Sequence, residues 1–456
     1  MAKSPMAKRN QPSPQAARFQ LNALRVKNFT RFIDQEFRFH PQFTVLIGDN
    51  ASGKTSLLDA ASIALASYTT GVPDCGRGIA KDQVHHEFRY NIKARESFLQ
   101  IFFPCELHAN GSVGSEKIKW SRFRTADRMR SSSSEVLVKL GVSHRLMMQI
   151  GQDVTIPLLC YYGTGRLWDE PREIKPSAPE SRLAGYRQAL TGKSTIRQFL
   201  RTMERLTYGS IQARKPSPLL TGIVNAVKAC IPACEDLYFD INRSQLVARI
   251  AGRWENFGML SHGYRGMLGL VADLAYRASI LNPHFGAEAA LKSPGVVLID
   301  ELDLHLHPSW QREVVKHLQI AFPLVQFIAA THSPFIVQSL EPGQLLDLNS
   351  PSTNTMKLGT DEFIAHPAPD ANYSERGVEE IAEAVMGVES AHRSARFVDA
   401  ELVAKSYLQK LSDIKGKRGS AQSVAKGELD QLLEKISDNP AAVALLKLQR
   451  AAKLKE

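Results

Sequence analysis

Between the apolar run Phe43–Ile47 and the periodic stretch that begins at Lys54 lies the segment GDNASGKTS, Gly48 to Ser56. A G-x-x-x-x-G-K-T pattern at such a junction leaves few folds open, because the loop works only when a buried strand delivers it and a helix leaves it. Gly48 and Gly53 let main-chain N–H groups turn inward, and the helix N-terminus adds the positive end of its dipole. Lys54 can then reach the outer phosphates of a nucleoside triphosphate, and the Thr55 hydroxyl can meet Mg²⁺. Asp49, Asn50, Ala51, Ser52 and Ser56 complete the phosphate-facing loop, so the expected cofactors are ATP and Mg²⁺.

A second apolar run, GVVLIDE from Gly295 to Glu301, ends on two adjacent carboxylates. Neighbouring acids at the end of a buried strand repel each other and lose hydration, an arrangement that calls for a cation between them. Asp300 is expected to hold the Mg²⁺ shell with Thr55, and Glu301 to polarise the attacking water. The motif THSPF follows the next apolar run, VQFIAA, and sets His332 at a strand edge within reach of a γ-phosphate or that water. Gln83, in GIAKDQVHHEF, is a further candidate for the metal. Asp303, His305 and His307 have the spacing of a metal pair, but no third ligand stands near them, and a loop at a subunit boundary is the preferred reading. Ser261 and Gly263, in GMLSHGYRGML, open an amphipathic helix; a capping serine would explain such a start, and a second phosphate contact is the alternative.

Apolar runs alternate with helical periodicity around these motifs, which predicts an α/β fold with a mostly parallel, covered sheet. Two β-rich runs flank Asn110-Gly111, a hairpin signal. Residues from about 175 to 255 show apolar spacing of three and four and are expected to be helical, and no sustained heptads occur. The five cysteines form no CxxC pairs, and Cys230 with Cys234 is read as core packing.

Net charge is +11, concentrated in residues 1–31 and 405–456. The run KIKWSRFRTADRMR, Lys117 to Arg130, interleaves Trp120 and Phe123 with cations and is a candidate nucleic-acid surface or, equally, a solvated hairpin. The N-terminal residues lack the apolar core of a secretory signal, and no apolar run approaches the roughly 20 residues that span a bilayer. A cytoplasmic protein without membrane contact is expected.

Taken in order, GDNASGKTS, LSHGYR, VVLIDE and THS resemble the ABC-type ATPase heads of the SMC, RecF and OLD group, where they correspond to Walker A, signature, Walker B and switch histidine. The resemblance implies a P-loop head with a mixed central sheet, an antiparallel β subdomain, an inserted helical subdomain and a helical C-terminal tail. It assigns residues 1–18 to a disordered basic tail and 19–174 to an N-terminal lobe. A helical insertion at 175–255, a C-terminal lobe at 256–365 and a helical partner or oligomer contact at 366–456 follow. In that group the signature serine and glycine touch the γ-phosphate held by a facing protomer, roles that would fall here to Ser261 and Gly263. Two chains would then meet with ATP between them.

YYGTGRLW (Tyr161 to Trp168), DELDLHLHPSWQ and SDNPAAVALLKLQR bring the chain closer to the bacterial ATPases of Septu and related retron anti-phage systems. That likeness implies an HNH-type nuclease partner and makes Arg166 a candidate nucleotide or interface contact. The acidic strand-end pattern of the OLD nuclease domain is absent after His332, so the chain is not expected to cut nucleic acid itself. A RecF-like ATPase that binds duplex DNA is the alternative.

Overall fold

The computed structural model describes residues 18–454 apart from 74, 92–95, 128–131, 134, 168–180, 193–195, 350–362, 366–371, 389–394, 414–419 and 436–439. The basic tail expected over 1–18 therefore lies almost wholly outside the described residues. The chain forms two compact units, residues 1–376 and 377–456.

Two sheets and the helix between them organise the first unit. Strands β1 (Phe19–Phe29) and β2 (Phe32–Arg38) form a hairpin, and β3 (Phe43–Ile47) dives into the core. With β9 (Leu158–Tyr162), β13 (Gly295–Ile299), β14 (Val325–Ala330) and β15 (Leu345–Asp347), β3 builds a five-stranded sheet in the order β15-β3-β14-β13-β9, parallel throughout. Every residue of β3, β9, β13 and β14 is buried, as expected for parallel strands covered on both faces. The register pairs Ile299 with Ala329 and Ala329 with Val45, which brings the carboxyl ends of β3, β13 and β14 to one edge, where α/β sheets present their ligand sites.

Helix α1 (Lys54–Leu65) leaves that edge. Past it the chain forms a two-stranded hairpin, β4 (His86–Asn91) and β5 (Glu96–Ile101), then β6 (Cys105–Val113), β7 (Glu116–Arg124) and β8 (Ser132–Ser133). The last three join β1, β2 and β16 (Phe363–Ala365) in a six-stranded sheet whose pairs are antiparallel except β16–β2. The expected turn at Asn110-Gly111 is corrected here: both residues lie within β6, and the chain reverses at Gly114-Ser115. Gly111 is needed in the strand because a Cβ there would stand 2.4 Å from the Gln20 carbonyl oxygen.

The basic run also turns out differently. Trp120 is buried and its Nε1 donates to the Ala64 carbonyl at 2.9 Å, while buried Arg122 donates from Nε to the Ile63 carbonyl at 3.3 Å and from its guanidinium to the Arg77 carbonyl. Strand alternation sends these side chains inward to the last carbonyls of α1, where a donor or cation satisfies groups the helix leaves open. They are not a nucleic-acid surface; Lys117 and Lys119 remain exposed, and Arg128 and Arg130 lie outside the described residues.

Helices α2 (Glu135–Gln149), α3 (Ile196–Ala213) and α4 (Pro218–Cys230) follow. The interval 175–255 is not wholly helical as expected: β10 (Cys234–Asp240), β11 (Gln245–Ile250) and β12 (Arg253–Asn256) make a three-stranded antiparallel sheet. Its period-two pattern buries Leu237, Phe239, Leu246, Ala248 and Ile250 on one face. Cys230 and Cys234 are both buried, and burial pushes their thiols up to about 12 and about 11.

Helix α5 (His262–Leu281) starts where Ser261 Oγ accepts from the Tyr264 N–H at 3.4 Å and ends at buried Asn282, whose amide bonds both main-chain groups of Ile156. Inside it the buried pair Asp273–Arg277, 2.7 Å apart, accepts the Tyr162 hydroxyl at 2.7 Å and so fastens the helix to β9. Short helices α6 (Ala289–Lys292), α7 (Pro308–Gln311), α8 (Val314–Ala321) and α9 (Pro334–Gln338) complete the unit.

The second unit comprises α10 (Val378–Ala384), α11 (Ala395–Asp413), α12 (Ser420–Lys435) and α13 (Pro440–Leu454). Tyr407, Leu411, Leu429, Leu433 and Leu446 form its core.

Candidate nucleotide-binding site

Beyond Ile47 the main chain takes a path that only glycine tolerates at two points. Gly48 has φ 146° and a Cβ there would lie 2.6 Å from Ser52 Oγ; Gly53 has φ 100° and a Cβ would lie 2.6 Å from the Phe32 ring. Ala51, at φ 66°, is left-handed as well. Lys54 folds back into the loop so formed, donating from Nζ to the Gly48 carbonyl at 2.7 Å and the Asp49 carbonyl at 2.9 Å. Burial lowers its pKa, and Asp300 heads the acids that oppose that shift.

A cavity of about 390 Å³ opens over the loop, lined by Asn50 to Ser56, by Asp300 and Glu301, by Ala330, Thr331 and His332, and by Thr30 and Arg31. Gly48 and Asp49 stand behind this lining and hold Lys54 through their carbonyls. Thr55 Oγ1 donates to Asp300 Oδ2 at 2.8 Å, which brings together the two oxygen donors that sequence pairs for Mg²⁺. Ser52 Oγ is buried without a hydrogen-bond partner. An unsatisfied hydroxyl, a glycine cradle and a hydroxyl–carboxylate pair of hard oxygens fit a phosphate group carrying Mg²⁺.

Glu301 is half-buried at the same edge, with φ 48°. The next residue fixes its place, since the Leu302 N–H donates to the Ala330 carbonyl at 2.8 Å. His332 is exposed on the cavity wall, and its main-chain N–H donates to Asp303 Oδ1 at 3.3 Å. The same oxygen accepts from Thr331 Oγ1 at 2.5 Å, so Asp303 ties the end of β14 to the loop after β13. Sequence reasoning missed that tie.

Gln83 is placed otherwise than expected. Its Oε1 accepts from the Ala80 N–H at 3.0 Å and its Nε2 donates to Asp59 Oδ2 at 3.5 Å, one turn along α1 from Thr55. Asp59 also binds Arg77 at 2.7 Å, and Gln83 does not line the cavity.

Ser261 is exposed at the tip of α5 and likewise stands outside the cavity of its own chain. Gly263 is buried in its own chain, and a Cβ there would meet the His305 carbonyl oxygen at 2.4 Å. What this helix end offers outward is the Ser261 hydroxyl and the N–H groups of the first turn. His305 stands with its ring 5.5 Å from that of His262, and His307 Nδ1 is 2.8 Å from Ser309 Oγ. Among the described residues no group of three His, Cys, Asp or Glu converges on a metal position. The side chain of Arg166 lies outside the described residues.

Thr30 and Arg31 were also missed. Arg31 donates to the Ala51 carbonyl, and the Thr30 main chain donates to the Gln83 carbonyl at 2.7 Å and meets His85 Nδ1 at 2.6 Å. Their only local signal is a polar pair between Phe29 and Phe32 at a tight turn.

The chain is similar to several known proteins. Residues 23–228 match the family described as "AAA domain", and residues 252–338 match "AAA domain, putative AbiEii toxin, Type IV TA system". The retron Ec83 probable ATPase of Escherichia coli is 26% identical over 385 residues, 69% of this chain and 68% of that protein. The Septu protein PtuA of Bacillus thuringiensis is 34% identical over 153 residues, 32% of this chain and 35% of that protein. Among solved structures, the SMC head domain from Thermotoga maritima aligns with a TM-score of 0.42 at 14% identity, covering 76% of this chain and 99% of that one. Residues 23–228 and 252–338 thus carry AAA-domain sequence, and the chain is homologous to the retron Ec83 probable ATPase and to Septu PtuA.

Proposed function

We propose that the chain is the nucleotide-driven subunit of a cytoplasmic anti-phage defence complex, in which two copies close head to head over ATP and control an HNH-type nuclease partner. The observation that carries the reading is the one-sided pocket: Lys54, Thr55, Asp300, Glu301 and His332 line or floor it, whereas Ser261 stands exposed outside it. A facing copy supplies what one copy lacks. Its Ser261 hydroxyl and the first-turn N–H groups of its α5 meet the outer phosphate, so each pair encloses two nucleotides.

In this mechanism Lys54 leaves the Gly48 and Asp49 carbonyls for the β and γ phosphates, and the loop N–H groups cradle the rest. Thr55 and Asp300 would hold Mg²⁺, which would supply positive charge against the phosphate oxygens. Glu301 accepts a proton from the attacking water as the bond from the β–γ bridging oxygen to the γ phosphorus breaks, giving ADP and phosphate. His332 orients that water or the phosphate. Gln83, which bonds Asp59 one turn along α1 from Thr55, would be a further ligand for the metal. The second unit, with Leu402, Leu445 and Leu448 exposed on its helices, supports the partner contact.

Light scattering of the full chain tests the pairing. Glu301→Gln should bind ATP, fail to hydrolyse it and accumulate as a dimer, and Lys54→Ala should stay unpaired with ATP present. A Glu301→Gln chain that binds ATP and remains monomeric at micromolar concentration would rule the mechanism out. Co-purification with the product of a neighbouring nuclease gene tests the partner.

A further inference from the structure

Met259 is the most exposed large hydrophobic among the described residues, at 82%, and it lies two residues before Ser261. It is not on a loose loop. Phe257 and Leu260 on either side are buried, and Asn256 Oδ1 accepts the Gly258 N–H at 2.9 Å, so the turn is fixed and Met259 is directed outward. Two residues from Arg31, which lines the pocket, Ile33 is 62% exposed. It too extends from a fixed turn: Phe32 is buried against Gly53, and Arg31 holds the Ala51 carbonyl.

Single exposed apolar residues are ordinary on protein surfaces. These two differ in where they stand: Ile33 lies two residues from Arg31 at the cavity, and Met259 two residues from Ser261, which the head-to-head reading brings to the facing copy's phosphate, in each case a span of about 7 Å of extended chain. A facing copy that brings Ser261 to the phosphate over Lys54 brings Met259 within reach of the turn at Arg31 to Ile33.

We infer that Met259 of one copy packs on Ile33 of the other and forms an apolar seal at the rim of the closed nucleotide pocket. The inference rests on the head-to-head reading and adds the residues that close the rim. Two-fold symmetry makes two such seals per pair. Each excludes water from the mouth of a site whose charge interactions strengthen as water leaves. An unbranched thioether suits the task, because it adapts to the branched partner as the heads close.

Cysteine cross-linking tests the contact against a quiet background, since all five native cysteines are buried. Full-length M259C and I33C chains, each also carrying Glu301→Gln and tags of different length, are mixed and treated with a short bismaleimide. With ATP the mixture should give a two-chain product that neither chain alone gives and that disappears without nucleotide. In parallel, Met259→Glu should weaken ATP-induced pairing roughly tenfold or more through burial of an unpaired charge, while Met259→Leu pairs as wild type. ATP-induced pairing with no mixed product and no effect of Met259→Glu would overturn the seal and leave the head-to-head reading standing. Absence of pairing under ATP in the Glu301→Gln chain would remove both.

Discussion

Asp347 ends β15 beside the phosphate loop, and burial, with the Asp49 charge adding to it, raises its carboxyl pKa. The ionised form is therefore disfavoured in the folded state; the cost is fully present above the folded pKa and vanishes as pH falls below the unfolded value. Asp347→Asn keeps an oxygen for the Asn349 N–H, which Asp347 Oδ1 now accepts at 2.8 Å. The variant should melt slightly higher than wild type at pH 7 and no higher near pH 3, as thermal scans at both pH values would show. At this scale the sequence motifs pointed to Lys54, Thr55, Asp300 and Glu301, and the fold gathers them at one cavity. The motifs did not disclose the tie that Asp303 makes, nor Arg31, because their bonds reach strand ends or turns that only the folded register brings close.

Two elements position those side chains. The N-terminus of α5 and the loop from Asp303 to His307 pack so closely that Gly263 has no room for a methyl group. Gly263→Ala should push the His305 main chain away and disturb the Asp303 tie to Thr331 and His332. Turnover should fall while the monomer binds nucleotide as before, a split that steady-state kinetics and a binding titration would reveal. At the other end of the machinery, β7 caps α1. Trp120→Phe removes the donor to the Ala64 carbonyl and should destabilise the first unit by about 1–3 kcal/mol in urea unfolding. Alternation along β7 was legible in the sequence, but the helix end that waits under its inner face was not, and so inward donors resembled a binding surface. The strands β10 to β12 were missed for a related reason: short strands between helices carry too few periods to stand out from a helical background.

At the scale of the molecule, the proposed head-to-head pairing predicts complementation. A Lys54→Ala chain keeps a sound Ser261, and a Ser261→Arg chain keeps a sound phosphate loop. Each should be nearly inactive alone, while an equal mixture should regain about a quarter of wild-type ATPase activity, since half the random pairs are mixed and each holds one good site. No recovery in mixtures shown to exchange subunits would count against shared pockets. The parallel sheet and its loop were readable from the first motif outward because burial on both faces leaves a continuous apolar signature, whereas the division at residue 377 has no comparable mark. Glu301, last, holds a left-handed main chain at φ 48° that glycine adopts more easily. Non-glycine residues accept such a conformation at a cost of about 1 kcal/mol. Glu301→Gly should thus yield a hardier protein that turns nothing over: the molecule withholds part of the durability its topology permits at the very peptide to which the proposed mechanism assigns the chemistry.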